Sequence, residues 1–266
     1  MNKLLVVVFG TEADAEAGTR VLRNLDSEGD ITLYALGVIS KDAKGLVSVK
    51  KAVDSFGVGA GMGLAVGALI GLLAGPVGVV AGAAAGTLLG TVRDYWVAGV
   101  GPGFIEEAST FLKPGTTAVV AEVEEDWVTP VDAAMDDLGG SVIRRARMAM
   151  LQDQFDQDIV AMKAEISGLE AECQHSSGAA QTRLRAALSS TQTNLAQTTA
   201  RATKKLAEFR QETELRVHAI EAQIAKAQGK VRARLETRLE RVHTAYAERS
   251  AKLSRAWGLT REALSA

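Results

Sequence analysis

"GAGMGLAVGALIGLLAGPVGVVAGAAAGTLLG" occupies residues 59–90 and contains no charged side chain. Glycine recurs at every fourth position on either side of a single proline, Pro76. The nine glycines at this spacing are Gly59, Gly63, Gly67, Gly71, Gly75, Gly78, Gly82, Gly86 and Gly90. Residues four apart lie on one face of a helix, and small residues there let a second helix approach closely. The spacing therefore predicts a helix-packing face, a glycine zipper.

Gly75 and Pro76 divide this charge-free run, residues 56–92, into two arms of similar length. Glycine at a helix end and proline at a helix start are both common, so the pair predicts a hairpin turn. Each arm would measure about 25–28 Å, close to the roughly 30 Å hydrocarbon core of a bilayer. Interior glycines cost roughly 1 kcal/mol each in a water-exposed helix, whereas a helix in lipid keeps its hydrogen bonds. A membrane-inserted hairpin is the first hypothesis.

Two other interpretations of residues 56–92 stay open. The second arm is weakly hydrophobic, because "AGAAAG" at 81–86 gives little insertion energy, so the hairpin could instead lie inside a soluble oligomer. A nucleotide-binding loop is the third interpretation, based on "GVGAGMG" at 57–63. A phosphate-binding loop has a few glycines in one turn followed by lysine, and no such lysine follows here.

The segments around the hairpin predict a strand-helix-strand unit on each side. On the N-terminal side, Leu4–Phe9 and Ile31–Ile39 are predicted strands, Thr11 begins a predicted helix between them, and Leu46–Lys51 is an additional strand. The segments predicted after the hairpin are a helix at Gly103–Leu112, a strand at Thr116–Val123, a helix capped by Thr129 and a strand at Ser141–Arg145. This order predicts an α+β fold: a split ferredoxin-like sandwich interrupted by the hairpin and followed by long C-terminal helices.

Composition limits the chemistry that this chain can perform. One cysteine, Cys173, excludes an intramolecular disulfide, and three scattered histidines make a zinc site with it improbable. Four acidic residues crowd the end of the strand at 116–123 and are interpreted as a solvated hairpin end rather than a metal site: Glu122, Glu124, Glu125 and Asp126. No catalytic triad, carboxylate pair or phosphate loop is evident, so we predict no enzyme activity and no cofactor.

The charge distribution predicts two modules. Residues 1–147 carry 12 Lys and Arg against 18 Asp and Glu, whereas residues 148–266 carry 18 against 14. We therefore predict an α+β domain at 1–147 and a helical rod at 148–266. The rod has an acidic helix at 148–172, a break at "CQHSSG" (173–178) and a basic helix at 179–266.

The basic helix has an 11-residue repeat. Its apolar positions form one stripe, interrupted by Thr213, Arg238 and Arg249. The residues of the stripe are Ile220, Ile224, Val231, Leu235, Val242, Tyr246, Leu253, Trp257 and Leu264. Eleven residues make three turns of about 3.67 residues each, so the stripe runs nearly straight and suits helix packing or a membrane surface. Anionic lipid headgroups are a candidate partner, whereas nucleic acid is disfavoured because aromatic residues do not alternate with the basic ones.

Residues 1–147 resemble a bacterial family of uncharacterised, predicted membrane proteins, a domain of unknown function. The resemblance is carried by "LLVVVF" (4–9), the glycines of 59–90, "LKPGTTAVVAEV" (112–123) and "MDDLGGSVIRRA" (135–146). It implies a split α+β domain interrupted by a glycine-zipper hairpin, and membrane association. It implies no established chemistry, and the long tail departs from the family's short members.

Together these observations predict a membrane-anchored, self-associating scaffold protein without catalytic activity, whose partners are a second copy of itself and the lipid bilayer. The runner-up is a soluble oligomer with the hairpins in its core. Lysines at 41, 44, 50 and 51, together with Arg93, flank the hairpin, whereas its tip has no charge. The positive-inside rule then predicts an inner-membrane protein with the α+β domain and the rod on the cytoplasmic side.

Overall fold

The computed structural model describes residues 2–55, 63–82 and 100–265. Its strands are β1 (Asn2–Phe9), β2 (Ile31–Lys41), β3 (Val47–Ser55), β4 (Thr117–Glu125) and β5 (Ser141–Ala146). Its helices are α1 (Glu12–Ser27), α2 (Leu64–Gly82), α3 (Pro102–Phe111), α4 (Thr129–Asp136), α5 (Arg147–His175), α6 (Gly178–Lys226) and α7 (Gly229–Ser265).

The five strands form one antiparallel sheet in the order β3-β2-β4-β1-β5. Without β3 this is the strand order of a ferredoxin-like sandwich, and β3 extends the sheet beyond β2 at its edge. The predicted α+β class is therefore confirmed. A bulge in β2 interrupts its register with β4 between Leu33 and Ala35, at Tyr34. Bulges redirect side chains, and this one gives Tyr34 a place outside the regular alternation.

Both faces of the sheet are covered, because strand residues alternate between two apolar clusters. Leu4, Val6 and Val8 belong to the cluster that includes α2 and α3 residues, whereas Leu5 and Val7 belong to the cluster with α1 and α4 residues. Because both faces of the sheet are buried, the central strands contain few polar residues.

The helix starts were predicted with mixed success. Thr11 caps α1 as expected: its hydroxyl accepts from the Asp14 amide at 3.1 Å. The predicted cap at Thr129 is wrong, because α4 starts one residue earlier than assumed and Val128 is at the N-cap without a side-chain hydrogen bond. Pro130 supplies the helical φ there, so α4 begins without a polar cap.

Helix α2 corrects the predicted hairpin turn. The helix runs from Leu64 to Gly82 and continues through Gly75 and Pro76 without a turn. A proline has a helical φ and removes one backbone hydrogen bond, so a helix that is held elsewhere can accept it. The first half of α2 is held in this way, since Val66, Leu69 and Ile70 are buried against the sheet. Among the described residues, none of the helices combines the length and the apolar character needed to cross a bilayer.

The chain divides into two compact units. The first comprises Met1–Leu151 together with Glu212–His243, and the second comprises Gln152–Gln211 together with Thr244–Ala266. The first unit therefore contains more than residues 1–147: the end of α6 and the start of α7 belong to it. We call residues 212–243 the docked corner.

The second unit is built from helical segments alone. Ile159, Leu195 and Phe209 are buried in it, and the rings of Phe209 and Tyr246 lie 5.6 Å apart. The Thr191 hydroxyl donates to a Glu165 carboxylate oxygen at 3.2 Å and so joins α5 to α6.

The predicted basic helix at 179–266 is interrupted in the structure. It consists of α6 and α7, which are separated by Ala227 and Gln228. Gly229 at the start of α7 has a φ of +55°, a left-handed conformation that glycine adopts without strain. The break lets the two helices turn back on each other, so the apolar stripe packs within the chain.

Candidate functional site

The acidic cluster at the end of β4 is buried, which corrects its interpretation as a solvated hairpin end. Glu122 and Glu125 are each 1% exposed, and Glu124 is 4% exposed. The Asp126 side chain is 3% exposed. Burying a carboxylate is costly unless it is paired and hydrogen-bonded, so the partners of these groups define the site.

Arg238 of α7 is the main partner from the docked corner. It is 1% exposed and is among the largest fully buried side chains of the described residues. Its guanidinium donates to the Asp126 carboxylate at 3.1 Å, the Thr32 hydroxyl at 3.1 Å, the Gly29 carbonyl at 3.1 Å and the Asp30 carbonyl at 2.9 Å. A guanidinium has five N–H donors in a fixed plane, and here they span the turn between α1 and β2 and the end of β4.

Gln223 of α6 binds the same turn from the other helix of the corner. Its amide nitrogen donates to the Asp26 carboxylate at 2.8 Å, to the Asp26 carbonyl at 2.9 Å and to the Ile31 carbonyl at 3.2 Å. Its amide oxygen accepts from the Thr32 hydroxyl at 2.6 Å. We call these five residues the polar clamp: Asp26, Thr32, Asp126, Gln223 and Arg238.

Two exposed arginines of α7 extend the clamp to the surface. Arg241 places a nitrogen 3.1 Å from the second Asp126 oxygen, and its side chain is 52% exposed. Arg234 binds the Asp30 carboxylate, with its side chain 37% exposed. Asp126 therefore holds two guanidinia at once, one buried and one at the surface.

Tyr34 connects the clamp to the interior of the sheet. It is fully buried, and its ring packs against Leu215 and Ala219 of α6. Its hydroxyl donates to Glu124 at 3.3 Å. Burial, reinforced by the negative charge of Glu124, raises the pKa of Tyr34 well above its usual value, so the phenol stays protonated and keeps donating.

The other face of the sheet has its own ion pairs around Glu125. Lys3 binds one Glu125 oxygen at 2.9 Å, and Arg144 lies 3.4 Å from the same atom. Arg144 also binds Asp132 of α4. This network joins β1, β4, β5 and α4, and it therefore stabilises the sandwich rather than the docked corner.

The clamp has the chemistry of a docking contact. Its carboxylates accept hydrogen bonds from guanidinium and amide nitrogens, and Arg238 donates hydrogen bonds to backbone carbonyls. Within the described residues, no three His, Cys, Asp or Glu side chains converge in a way that could hold a metal ion. The arrangement is able to hold a helical segment against the sheet in one register.

Asp26 makes the clamp sensitive to pH, and we expect Asp26→Asn to remove this sensitivity. Burial raises the pKa of Asp26 above 3.8, against smaller opposing effects of the Leu33 amide, Arg238 and Lys226. The folded state therefore favours the neutral carboxyl. The resulting penalty is absent below pH 3.8, grows as the pH rises and is complete above the folded pKa.

An asparagine keeps the oxygen that accepts from the Leu33 and Gln223 nitrogens, so Asp26→Asn should gain stability relative to the wild type as the pH rises from 3 towards 7. Urea unfolding at both pH values measures this difference. Asp26→Ala is the control for the hydrogen bonds, because it loses the oxygen that accepts both of them, and it should be less stable than Asp26→Asn by about 1–3 kcal/mol at either pH. A difference between wild type and Asp26→Asn that does not change with pH would contradict the assignment.

The predicted zipper glycines lie in and around α2. Gly63 precedes the helix with a φ of +101°, and Gly67 and Gly71 lie in its first half. Gly75, Gly78 and Gly82 continue the helix with Pro76, whereas Gly59, Gly86 and Gly90 lie outside the described residues. Among the described residues, a Cβ atom added to Gly71 would meet no atom within 4 Å, and one added to Gly67 would meet Val53 at 3.9 Å.

Where the structure describes its side chains, the predicted stripe packs between α6 and α7. Ile220, Leu235 and Val242 are buried together, with Ile224 and Val231 partly buried beside them. Tyr246 contacts Phe209 in the second unit. Leu253, Trp257 and Leu264 are in α7, but their side chains lie outside the described residues.

Sequence reasoning did not identify the clamp. Tyr34 and Gln223 carry no motif, and Arg238 and Thr213 were noted only as interruptions of the stripe. These interruptions were the available signal, because Arg238 is 1% and Thr213 is 6% exposed. A charged residue in the apolar row of a helix indicates a buried partner elsewhere in the chain.

Comparison with known proteins relates part of the chain to a protein family. The model of a family described as "Protein of unknown function (DUF1269)" matches residues 60–159, from the glycine-rich run through β5 into α5. Residues 60–159 are thus similar to a domain of unknown function, which agrees with part of the sequence resemblance, whereas residues 1–59 lie outside the match. No curated protein and no solved structure matches the chain.

Proposed function

We propose that this protein is a non-catalytic scaffold that associates with itself and with a membrane through residues 56–92. The observation that carries the proposal is the two-sided environment of α2. One side of the helix packs into the domain core: Gly37 of β2 leaves room for Ile70, whose Cδ1 would lie 2.6 Å from a Cβ at that position. The other side carries the open positions at Gly67 and Gly71.

Among the described residues, no atom lies within 4 Å of a Cβ added to Gly71, so a helix from another copy could approach there. Interior glycines lower helix stability by roughly 1 kcal/mol each, and a contact that needs their small size would offset this cost. Close approach of a second α2 would supply this contact in lipid or in a dry oligomer core. The absence of charge from residues 56–92 supports the membrane as the surroundings of the assembly.

The membrane part of the proposal includes a location. The flanking basic residues favour an inner-membrane protein with the sandwich and the C-terminal helices on the cytoplasmic side. Extraction of membranes at alkaline pH tests the attachment, since it releases peripheral proteins and leaves inserted ones in the pellet. Recovery of the whole protein in the supernatant would eliminate insertion.

The second candidate is a soluble oligomer in which residues 56–92 of several copies meet in a shared core. The packing of Val66, Leu69 and Ile70 on the sheet favours it, because this part of α2 is already in protein surroundings. In this case alkaline extraction releases the protein, whereas chemical cross-linking of the supernatant still yields oligomers.

Self-association is tested by Gly71→Leu. Leucine adds apolar surface and its Cβ meets none of the described residues within 4 Å, yet it fills the row that a second helix would use. We expect weaker oligomers in detergent, by about tenfold or more in dissociation constant, with membrane retention unchanged. Analytical ultracentrifugation measures the oligomers.

Gly103→Leu is the matched control. Gly103 is an exposed helical glycine of α3 that also has no atom within 4 Å of an added Cβ. It should leave assembly as in the wild type. Equal oligomers from both variants would show that the glycine row is not the contact surface.

A further inference from the structure

The start of α7 combines the two residue types that a membrane-surface helix needs. Val231, Leu235 and Val242 form its apolar stripe. Arg238 interrupts this stripe, and Arg234 and Arg241, four residues before it and three residues after it, flank the stripe on one side. A helix with an apolar stripe and a basic flank binds in the interface of an anionic bilayer.

In the folded chain, both the apolar stripe and the three arginines make contacts within the protein. Leu235 and Val242 are buried against the end of α6. The three guanidinia bind two carboxylates: Arg234 binds Asp30, and Arg238 and Arg241 share Asp126. The carboxylates of the sandwich thus take the positions that lipid phosphates would take on an anionic surface.

The contact that holds the docked corner is largely polar. It consists of the polar clamp and the surface arginines, with apolar contacts that include Tyr34 with Leu215 and Ala219 and a close approach of Val231 to Gly29. Such contacts depend on geometry and charge, so an array of competing anions weakens them more than it weakens an apolar interface.

We infer that the docked corner is a membrane-surface helix held in reserve, which Asp126 keeps on the sandwich and which binds anionic lipid when the clamp opens. This rests on the proposed function, because a nearby bilayer supplies the competing phosphates. Opening frees Arg234, Arg238 and Arg241 together. Loss of Asp126 removes the shared carboxylate from two of them and leaves Arg238 with its hydrogen bonds to Thr32 and to the Gly29 and Asp30 carbonyls.

The test compares full-length wild type, Asp126→Asn and Asp126→Arg on vesicles of phosphatidylcholine alone and of phosphatidylcholine with phosphatidylglycerol. Asp126→Arg repels both guanidinia, so it opens the clamp even if asparagine retains a hydrogen bond. Hydrogen exchange of residues 231–242 reports opening in the same samples. Asp137→Asn is the matched control, because Asp137 is an exposed carboxylate after α4, at the opposite end of the sheet.

We expect faster exchange in both Asp126 variants and tighter binding to the anionic vesicles, by roughly fivefold for each guanidinium that reaches the surface. The gain should disappear at high salt, and Asp137→Asn should behave as the wild type. Addition of Arg234→Gln and Arg241→Gln to Asp126→Asn should reduce the gain without slowing exchange.

Four results would overturn the inference: unchanged exchange in both Asp126 variants, faster exchange without tighter binding, an equal gain on vesicles of phosphatidylcholine alone, or a gain for duplex DNA with none for vesicles. Its failure is distinguishable from that of the proposed function. Vesicle binding that resists salt and is equal in all variants would come from residues 56–92, and its absence would count against the proposed function. The salt-sensitive gain of the Asp126 variants tests the docked corner separately, because it does not require that binding.

Discussion

Arg238→Ala is expected to lower the free energy of unfolding of the first unit by about 3–5 kcal/mol, because it removes one partner of a buried ion pair. The change leaves the Gly29 and Asp30 carbonyls and the Thr32 hydroxyl without the guanidinium that they bind, in a site from which water is excluded. Asp126 keeps only its surface partner, Arg241. Urea unfolding followed by circular dichroism measures the loss.

Arg232→Ala is the matched control for this prediction. Arg232 lies on the same helix, is 57% exposed and pairs with Glu236 one turn away. Exposed pairs of this kind contribute about 0.2–1 kcal/mol, so the control should remain close to the wild type. Arg238→Lys is informative as well: it keeps the charge but cannot span the carbonyls and Asp126 together, and it should recover less than half of the loss. Similar losses from Arg232→Ala and Arg238→Ala would contradict the clamp.

Leu235→Asp is expected to lower the free energy of unfolding of the first unit by more than about 4 kcal/mol. The reason is that it places an unpaired charge where α6 and α7 pack together. Leu235 is 1% exposed and lies in a cluster with Ile220 and Val242. We expect loss of the docked corner and reduced helicity, visible by circular dichroism and by faster hydrogen exchange at residues 212–243.

Arg232→Gln on the flank of the stripe separates stripe packing from surface charge, since it changes the basic face and leaves the cluster intact. Arg241 is unsuitable for this purpose because it binds Asp126. Leu235→Ala supplies a graded comparison, with an expected cost of about 2–5 kcal/mol for the lost methyl groups and the cavity. Unchanged helicity in Leu235→Asp would mean that the stripe does not hold the corner.

The strands were predictable because their signals are local. Continuous β-branched runs such as Leu4–Phe9 and alternating runs bounded by turns differ from helix patterns within a few residues. The cap at Thr11 is local in the same way. The predicted turn at Gly75 and Pro76 is wrong because tertiary packing overrides the local preference of this pair for a helix end. The first half of α2 is fixed on the sheet, and the helix continues through the proline.

The site was not predictable because its partners are distant in the chain. Asp126 and Arg238 are separated by more than a hundred residues, and each alone suggests a solvated charge. Tyr34, which donates to the buried Glu124, lies at a bulge in β2 that no residue pattern predicts. Arg238 was visible in the sequence as an irregularity of the stripe. Its burial could not be predicted without the break before Gly229, which folds α7 back along α6.

The first unit is discontinuous along the chain, and this has a consequence for synthesis. Sixty residues of the second unit, Gln152–Gln211, are translated between the sandwich and the corner that covers it. At about 5–20 residues per second, the sandwich leaves the ribosome several seconds before Arg238 exists. During this interval Tyr34 lacks its contacts with Leu215 and Ala219, and Asp126 lacks both of its arginines, so the nascent sandwich exposes a surface that the finished protein covers.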